Sequence, residues 1–94
     1  MSTVTAGIQV LPNGQDVDTY GVIPSIVGSV KESGLKYQVG PMETVVEGEL
    51  DEVLLLIKNL QQDSIQLGAS EVITNIKLHY KPNGVTINDK LTNV

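Results

Sequence analysis

Residues 33–52 read SGLKYQVGPMETVVEGELDE, and this stretch decides the fold. Ser33-Gly34 closes a helix, with Gly34 as the left-handed residue just past its end. Leu35 to Val39 reads as a strand, Gly40-Pro41 breaks it, and Thr44 to Glu47 reads as the next strand. So short a link makes the two strands antiparallel neighbours. Gly48 punctuates, and Glu49, Asp51 and Glu52 then stand where the start of a helix favours negative charge.

Working outward, Thr3 to Leu11 alternates: Val4, Ala6, Ile8 and Val10 point one way, Thr3, Thr5, Gly7 and Gln9 the other. This is the period of a strand with one buried face. Pro12-Asn13-Gly14 ends it as a turn. A helix follows, with Tyr20, Ile23, Val27 and Val30 at helical spacing, Ile26 beside them, Asp18 as N-cap and Pro24 placed within about the first turn. After Gly48, residues Val53, Leu56, Ile57, Leu60, Ser64 and Leu67 form one helical stripe, widened by Leu54 and Leu55, and Gly68 ends it. Glu71 to Tyr80 is the fourth strand, with Val72, Thr74, Ile76, Leu78 and Tyr80 on one face and Ile73, Asn75, Lys77 and His79 on the other. Beyond the turn Pro82-Asn83-Gly84, Val85 to Ile87 reads as a short returning strand and Asn88 to Val94 as a helical turn capped by Asn88. The order β-α-β-β-α-β with right-handed crossovers predicts a single α+β domain over 1–94. It is a ferredoxin-like sandwich: a four-stranded antiparallel sheet with two helices on one face and the other face free of helices.

The composition excludes more than it selects. Thirty-one Val, Ile and Leu supply the core, Phe and Trp are absent, and the aromatics are Tyr20, Tyr37 and Tyr80. A domain of this size buries little area per residue, so a further face buried against a copy of itself is expected. The formal charge of −5, with six scattered lysines and no arginine, argues against a nucleic-acid surface and against bidentate clamping of phosphate. Without cysteine there is no disulfide, thiolate chemistry or iron–sulfur cluster. The N-terminus lacks signal-peptide character, and the longest apolar run, Val53 to Ile57, is far short of a membrane span. A cytoplasmic protein without membrane or metal association is expected.

Parity assigns Thr5, Gly7, Gln9, Glu43, Val45, Glu47, Ile73, Asn75, Lys77 and His79 to the helix-free face; from the second strand either Tyr37 and Val39 or Lys36 and Gln38 join them. Gln9, Glu47 and Asn75 on that face carry the donors and acceptors that can read the edge of an aminated heteroaromatic ring. The same set also suits a polar face held at an interface.

The motifs SGLKY, GPMET and VVEGELDEV, in this order and spacing, resemble the small thiamine-binding family of the YkoF type, whose pattern runs close to SGLKY-x-x-x-PMGT-x-(I/V)-EG-(D/E)-x-D-E-V. TAGIQVLP resembles its first strand and GASEVITNIKL its last, so the resemblance spans about Thr3 to Tyr80. It implies a ferredoxin-like fold that associates through its sheets into homodimers or homotetramers. It also implies non-catalytic binding of thiamine, or of its hydroxymethylpyrimidine part, as a ligand rather than a cofactor, in support of thiamine salvage or transport. Met42 and Thr44 match the PMGT motif; Glu47 and Gly48 match its EG pair. Glu43 stands where the family has glycine: it is strained if that corner needs a positive φ, and otherwise adds a carboxylate near a cationic ligand. Thiamine carries a permanent positive charge and an aminopyrimidine. Glu43 and Glu47 suit the charge, and Glu47, Gln9 or Asn75 the pyrimidine edge. Met42 offers a polarizable contact, Tyr37 or Tyr20 a stacking surface, and Thr44, on the helix-facing parity, a hydrogen bond at the corner.

Other functions fit less well. An acylphosphatase-like hydrolase needs an arginine to cradle phosphate; His79 has no serine or cysteine partner in a motif; and PNGQDVD is neither a phosphate loop nor a calcium loop. Single-stranded RNA would need aromatics on the first and third strands. The competing function is a regulatory sensor of amino acids at a subunit interface, with Gly14 to Asp18 meeting a zwitterion.

Overall fold

The computed structural model describes residues 3–14 and 19–92 of the 94. Its elements are β1 (Thr3–Asn13), α1 (Thr19–Glu32), β2 (Lys36–Val39), β3 (Thr44–Glu49), α2 (Leu50–Gln66), β4 (Glu71–Tyr80) and α3 (Ile87–Leu91). The four strands form one antiparallel sheet in the order β2-β3-β1-β4, which is the ferredoxin-like arrangement. Up to Tyr80 the expected strand and helix boundaries hold to within two residues, α1 beginning at Thr19. Gly34 and Gly68 end the helices with φ of 80° and 110°. The predicted cap Asp18 lies outside the described residues. Pro24 is the sixth residue of α1, beyond the first turn, so the helix lacks one internal hydrogen bond there.

The core lies between the sheet and α1 and α2. Val4, Ala6, Ile8 and Val10 of β1 and Val46 of β3 meet Ile26 and Val30 of α1 and Val53, Leu56 and Leu60 of α2. Periodicity dictates this: β1 buries every second residue and α2 buries positions three and four apart. Ser64 continues the α2 stripe, fully buried, its hydroxyl donating to the Leu60 carbonyl at 2.9 Å. Leu54, Leu55 and Leu67 are exposed, so the stripe is narrower than the sequence suggested. The outer half of β4 departs from expectation as well. Ile76, Leu78 and Tyr80 share the parity of the buried Val10 and Val4 yet remain 43–54% exposed. Parity fixes which face a side chain takes, not whether a helix reaches it: α2 packs chiefly over β1 and meets β4 near Thr74, whose hydroxyl donates to Gln61 Oε1.

The C-terminal tail corrects two expectations. Val85 forms no strand; its N–H donates to the Thr3 carbonyl at 3.0 Å, and the chain then turns into α3. The helix cap is Thr86, not Asn88. Asp89 N–H donates to Thr86 Oγ1 at 3.0 Å, and Thr86 N–H donates to Asp89 Oδ2 at 2.9 Å, a reciprocal capping box. The second face is therefore not bare: α3 covers one end of it, Val85 and Ile87 are buried, and Thr5 is only 1% exposed. The backbone hydrogen bond from Thr86 holds the Asp89 carboxyl below its usual range. A depressed carboxyl stabilises the fold above its unfolded value of 3.8 and ceases to do so as pH falls through the lower folded value. The tail is thus expected to loosen in acid below pH 3.8 and not above it, which amide exchange at Thr86 and Asp89 would show.

Candidate functional site

Strand register fixes the helix-free face. Along β1 and β4, Thr5 lies opposite His79, Gly7 opposite Lys77, Gln9 opposite Asn75 and Leu11 opposite Ile73. Along β3, Glu47 lies opposite Thr5 and Val45 opposite Gly7. Lys36 pairs with Glu47 and Gln38 with Val45, so Lys36 and Gln38 complete this face, whereas Tyr37 and Val39 point to the helix side. Tyr37 is thereby placed away from the face that carries the other candidates, and the side chain of Tyr20 lies outside the described residues.

Five of the six candidate residues gather around the corner between β2 and β3. Gln9, Met42, Glu43 and Asn75 line one cleft of about 360 Å³ with Ile76 and Lys77. Asn75 Nδ2 donates to Gln9 Oε1 at 3.3 Å, so the two amides stand side by side with the Gln9 amino group and the Asn75 carbonyl still open to a ligand. Met42 is 78% exposed at the corner, a large apolar side chain with nothing yet packed on it. Thr44 faces the helices, as its parity predicted, and lines an adjoining cleft that also touches Gln9, Met42 and Glu43.

Glu43 is the most informative of these. Among the described residues no non-glycine has a positive φ, so Glu43 replaces the family glycine without backbone strain and supplies a carboxylate. That carboxylate lies flat across Gly7: a Cβ built on Gly7 would stand 2.7 Å from Glu43 Oε2. It reaches Lys77 on the far strand, with Nζ 2.9 Å from Oε1. Gly7 is thus the gap in the central strand across which Glu43, just before β3, pairs with Lys77 of β4. Gly7→Ala is expected to fold, because the carboxylate at the end of a flexible side chain can move aside, but to displace Glu43 and weaken ligand binding several-fold. Titration beside a melting curve separates the two effects.

Glu47 lies elsewhere. Four residues of strand separate Thr5, its neighbour, from Gln9, about 13 Å at strand rise. There its Oε1 accepts the Ile87 N–H at 2.7 Å, which anchors the start of α3. Its other oxygen is what it can offer a ligand. Glu47→Ala would orphan a part-buried N–H and is expected to cost about 1–3 kcal/mol. Glu47→Gln retains an acceptor and should cost less, as urea denaturation would measure. The sequence signal for this anchor was the Thr-x-x-Asp spacing of residues 86–89, a capping signature that places a helix start, though not its docking place.

The fold and this cleft define a small α+β domain with a polar, non-aromatic groove suited to a small ligand. The profile of the thiamine-binding protein family matches residues 6–94, and the chain belongs to that family. It is 37% identical to UPF0045 protein CPE1503 of Clostridium perfringens over 91 residues, 97% of this chain and 96% of that one. Among solved structures it is similar to a domain of unknown function, DUF77, from Bacillus cereus, with 45% identity, a TM-score of 0.91 and coverage of 96% and 88% of the two chains. It is also similar to a Thermotoga maritima protein carrying the provisional description thiamine biosynthesis/salvage protein, with 33% identity, a TM-score of 0.87 and coverage of 97% of each. Among the described residues, no helix is long and apolar enough to cross a membrane.

Proposed function

We propose that this domain binds thiamine, or its hydroxymethylpyrimidine part, and performs no chemistry on it. The Gln9–Asn75 amide pair beside the Glu43 carboxylate carries the reading. The open amide groups match the alternating donors and acceptors of an aminopyrimidine edge, and Glu43 offers the negative charge that a thiazolium ring needs. Met42 closes over the ring as a polarizable apolar cover. Thr44 supports the corner from the helix side, and Glu47 sets the end of the groove by holding α3.

The role is retention of thiamine in the cytoplasm for salvage or transport, by a homodimer or homotetramer that packs through the sheet face. Leu11 and Ile73, 40% and 54% exposed on that face beside Gln9 and Asn75, are the apolar area a second copy would bury. The amino-acid sensor remains the alternative, but its turn at Gly14 to Asp18 lies mostly outside the described residues. A thermal-shift comparison tests the choice: thiamine should raise the melting temperature and zwitterionic amino acids should not. A shift with amino acids alone would reverse the assignment.

A further inference from the structure

Next to the amide cleft, and sharing Glu43 and Lys77 with it, lies a second cleft of about 260 Å³ that runs over Gly7 to Thr5, His79 and Lys90. It adds basic groups to that shared ion pair. Lys90 of α3 meets His79 of β4, ammonium nitrogen against Nδ1. An ammonium can only donate, so Nδ1 accepts and the imidazole proton sits on Nε2 as a further donor. Among the described residues Lys90 meets no carboxylate at ion-pair distance, since the one ion pair is Lys77 with Glu43. Thr5 also lines this cleft, is 1% exposed, and its hydroxyl has no hydrogen-bond partner. An unpartnered buried hydroxyl costs free energy that a ligand can return. The Lys90 ammonium, an imidazole donor and an unsatisfied hydroxyl thus meet at one end of the groove, with the Glu43–Lys77 ion pair beside them, in a chain whose net charge is −5.

From this geometry we infer that the groove takes a phosphorylated ligand, a phosphate ester of the aromatic cation, with its phosphate at Thr5, His79 and Lys90. The inference rests on the thiamine reading for the other end of the ligand. The Glu43–Lys77 pair supplies the reason for a preference. A plain cation must compete with Lys77 for Glu43. A ligand with a cationic ring and an anionic tail offers a partner to both, so the pair exchanges partners and neither charge is left alone. Lysine serves such a site as a point charge, without the bidentate geometry that arginine would bring. The span fits as well: Gln9 to Thr5 is about 13 Å along the strand, enough for two linked rings and a short esterified tail.

Calorimetric titration of the full chain with thiamine, thiamine monophosphate and inorganic phosphate tests this, on wild type, Lys90→Gln and Thr5→Val. The monophosphate is expected to bind at least fivefold more tightly than thiamine, and each variant to lose most of that preference while binding thiamine as wild type does. Thr5→Val removes a hydroxyl that has no partner, so it should melt no lower than wild type, and its effect would then be on the ligand. Equal or weaker binding of the monophosphate overturns the phosphate subsite and leaves the thiamine reading intact. Binding of inorganic phosphate that depends on Lys90, with no binding of thiamine or its ester, overturns the thiamine reading and upholds the anion site. Silence with all three overturns both.

Discussion

Glu43→Gln is expected to weaken thiamine binding about tenfold or more, ~1.4 kcal/mol, with little change in the stability of the fold. Both halves follow from the geometry. The carboxylate is held over Gly7 in the middle of the groove, its side chain only 28% exposed, so a cationic ring nearby is incompletely screened from it. Glutamine keeps the shape and a hydrogen-bonding oxygen but not the charge. The fold loses a surface ion pair with a largely exposed lysine, an interaction worth about 0–1 kcal/mol. The backbone at position 43 has no positive φ to accommodate, so the substitution meets no strain. Calorimetric titration of the folded variant decides it: wild-type affinity would remove Glu43 from the site and leave the amide pair without its charged partner.

Leu60→Ala should give the largest loss of stability, about 2–5 kcal/mol, from a total of about 5–15 kcal/mol for a domain of this kind. Leu60 is fully buried on α2 at the centre of the cluster joining Val4, Ile8 and Val46 to the helices. The surrounding residues are branched aliphatics with few rotamers to spare, so the space vacated is not readily refilled. The effect should extend to the site, because Leu60 also lines the cleft behind Thr44 and Met42. Leu55, five residues earlier on the same helix and 57% exposed, is the control: Leu55→Ala should change stability by no more than about 0.5 kcal/mol. Urea unfolding of both variants measures the difference. Similar midpoints for the two would mean that the core is not where the packing places it.

Most of the fold was legible in the chain because its signals are local. The alternation of Thr3 to Leu11, the Gly34 and Gly68 helix ends and the short Gly40-Pro41 link each follow from side-chain period or backbone freedom. Parity also placed Gln9, Asn75 and Glu47 on one face, as the register bears out, and Glu43 there too, as its contacts over Gly7 and with Lys77 bear out. Distance along that face was not legible. Which residues of a face share a cleft depends on strand stagger and on what covers each end, and α3 covers the Glu47 end through contacts between residues 40 positions apart. Lys77 was visible on the face, but its link to Glu43 depends on the missing side chain of Gly7, a three-strand coincidence that no periodicity encodes. The tail was misread for a simpler reason. Asn88 and Thr86 are both good caps, and the reciprocal partner Asp89 three residues on distinguishes Thr86.

The most direct test of the central claim is calorimetric titration of the purified wild-type chain with thiamine, followed by the same titration on Glu43→Gln. Binding at micromolar affinity or tighter, about −8 kcal/mol, weakened by the variant, is the result this account predicts. No heat and no thermal shift with thiamine at millimolar concentration would contradict it.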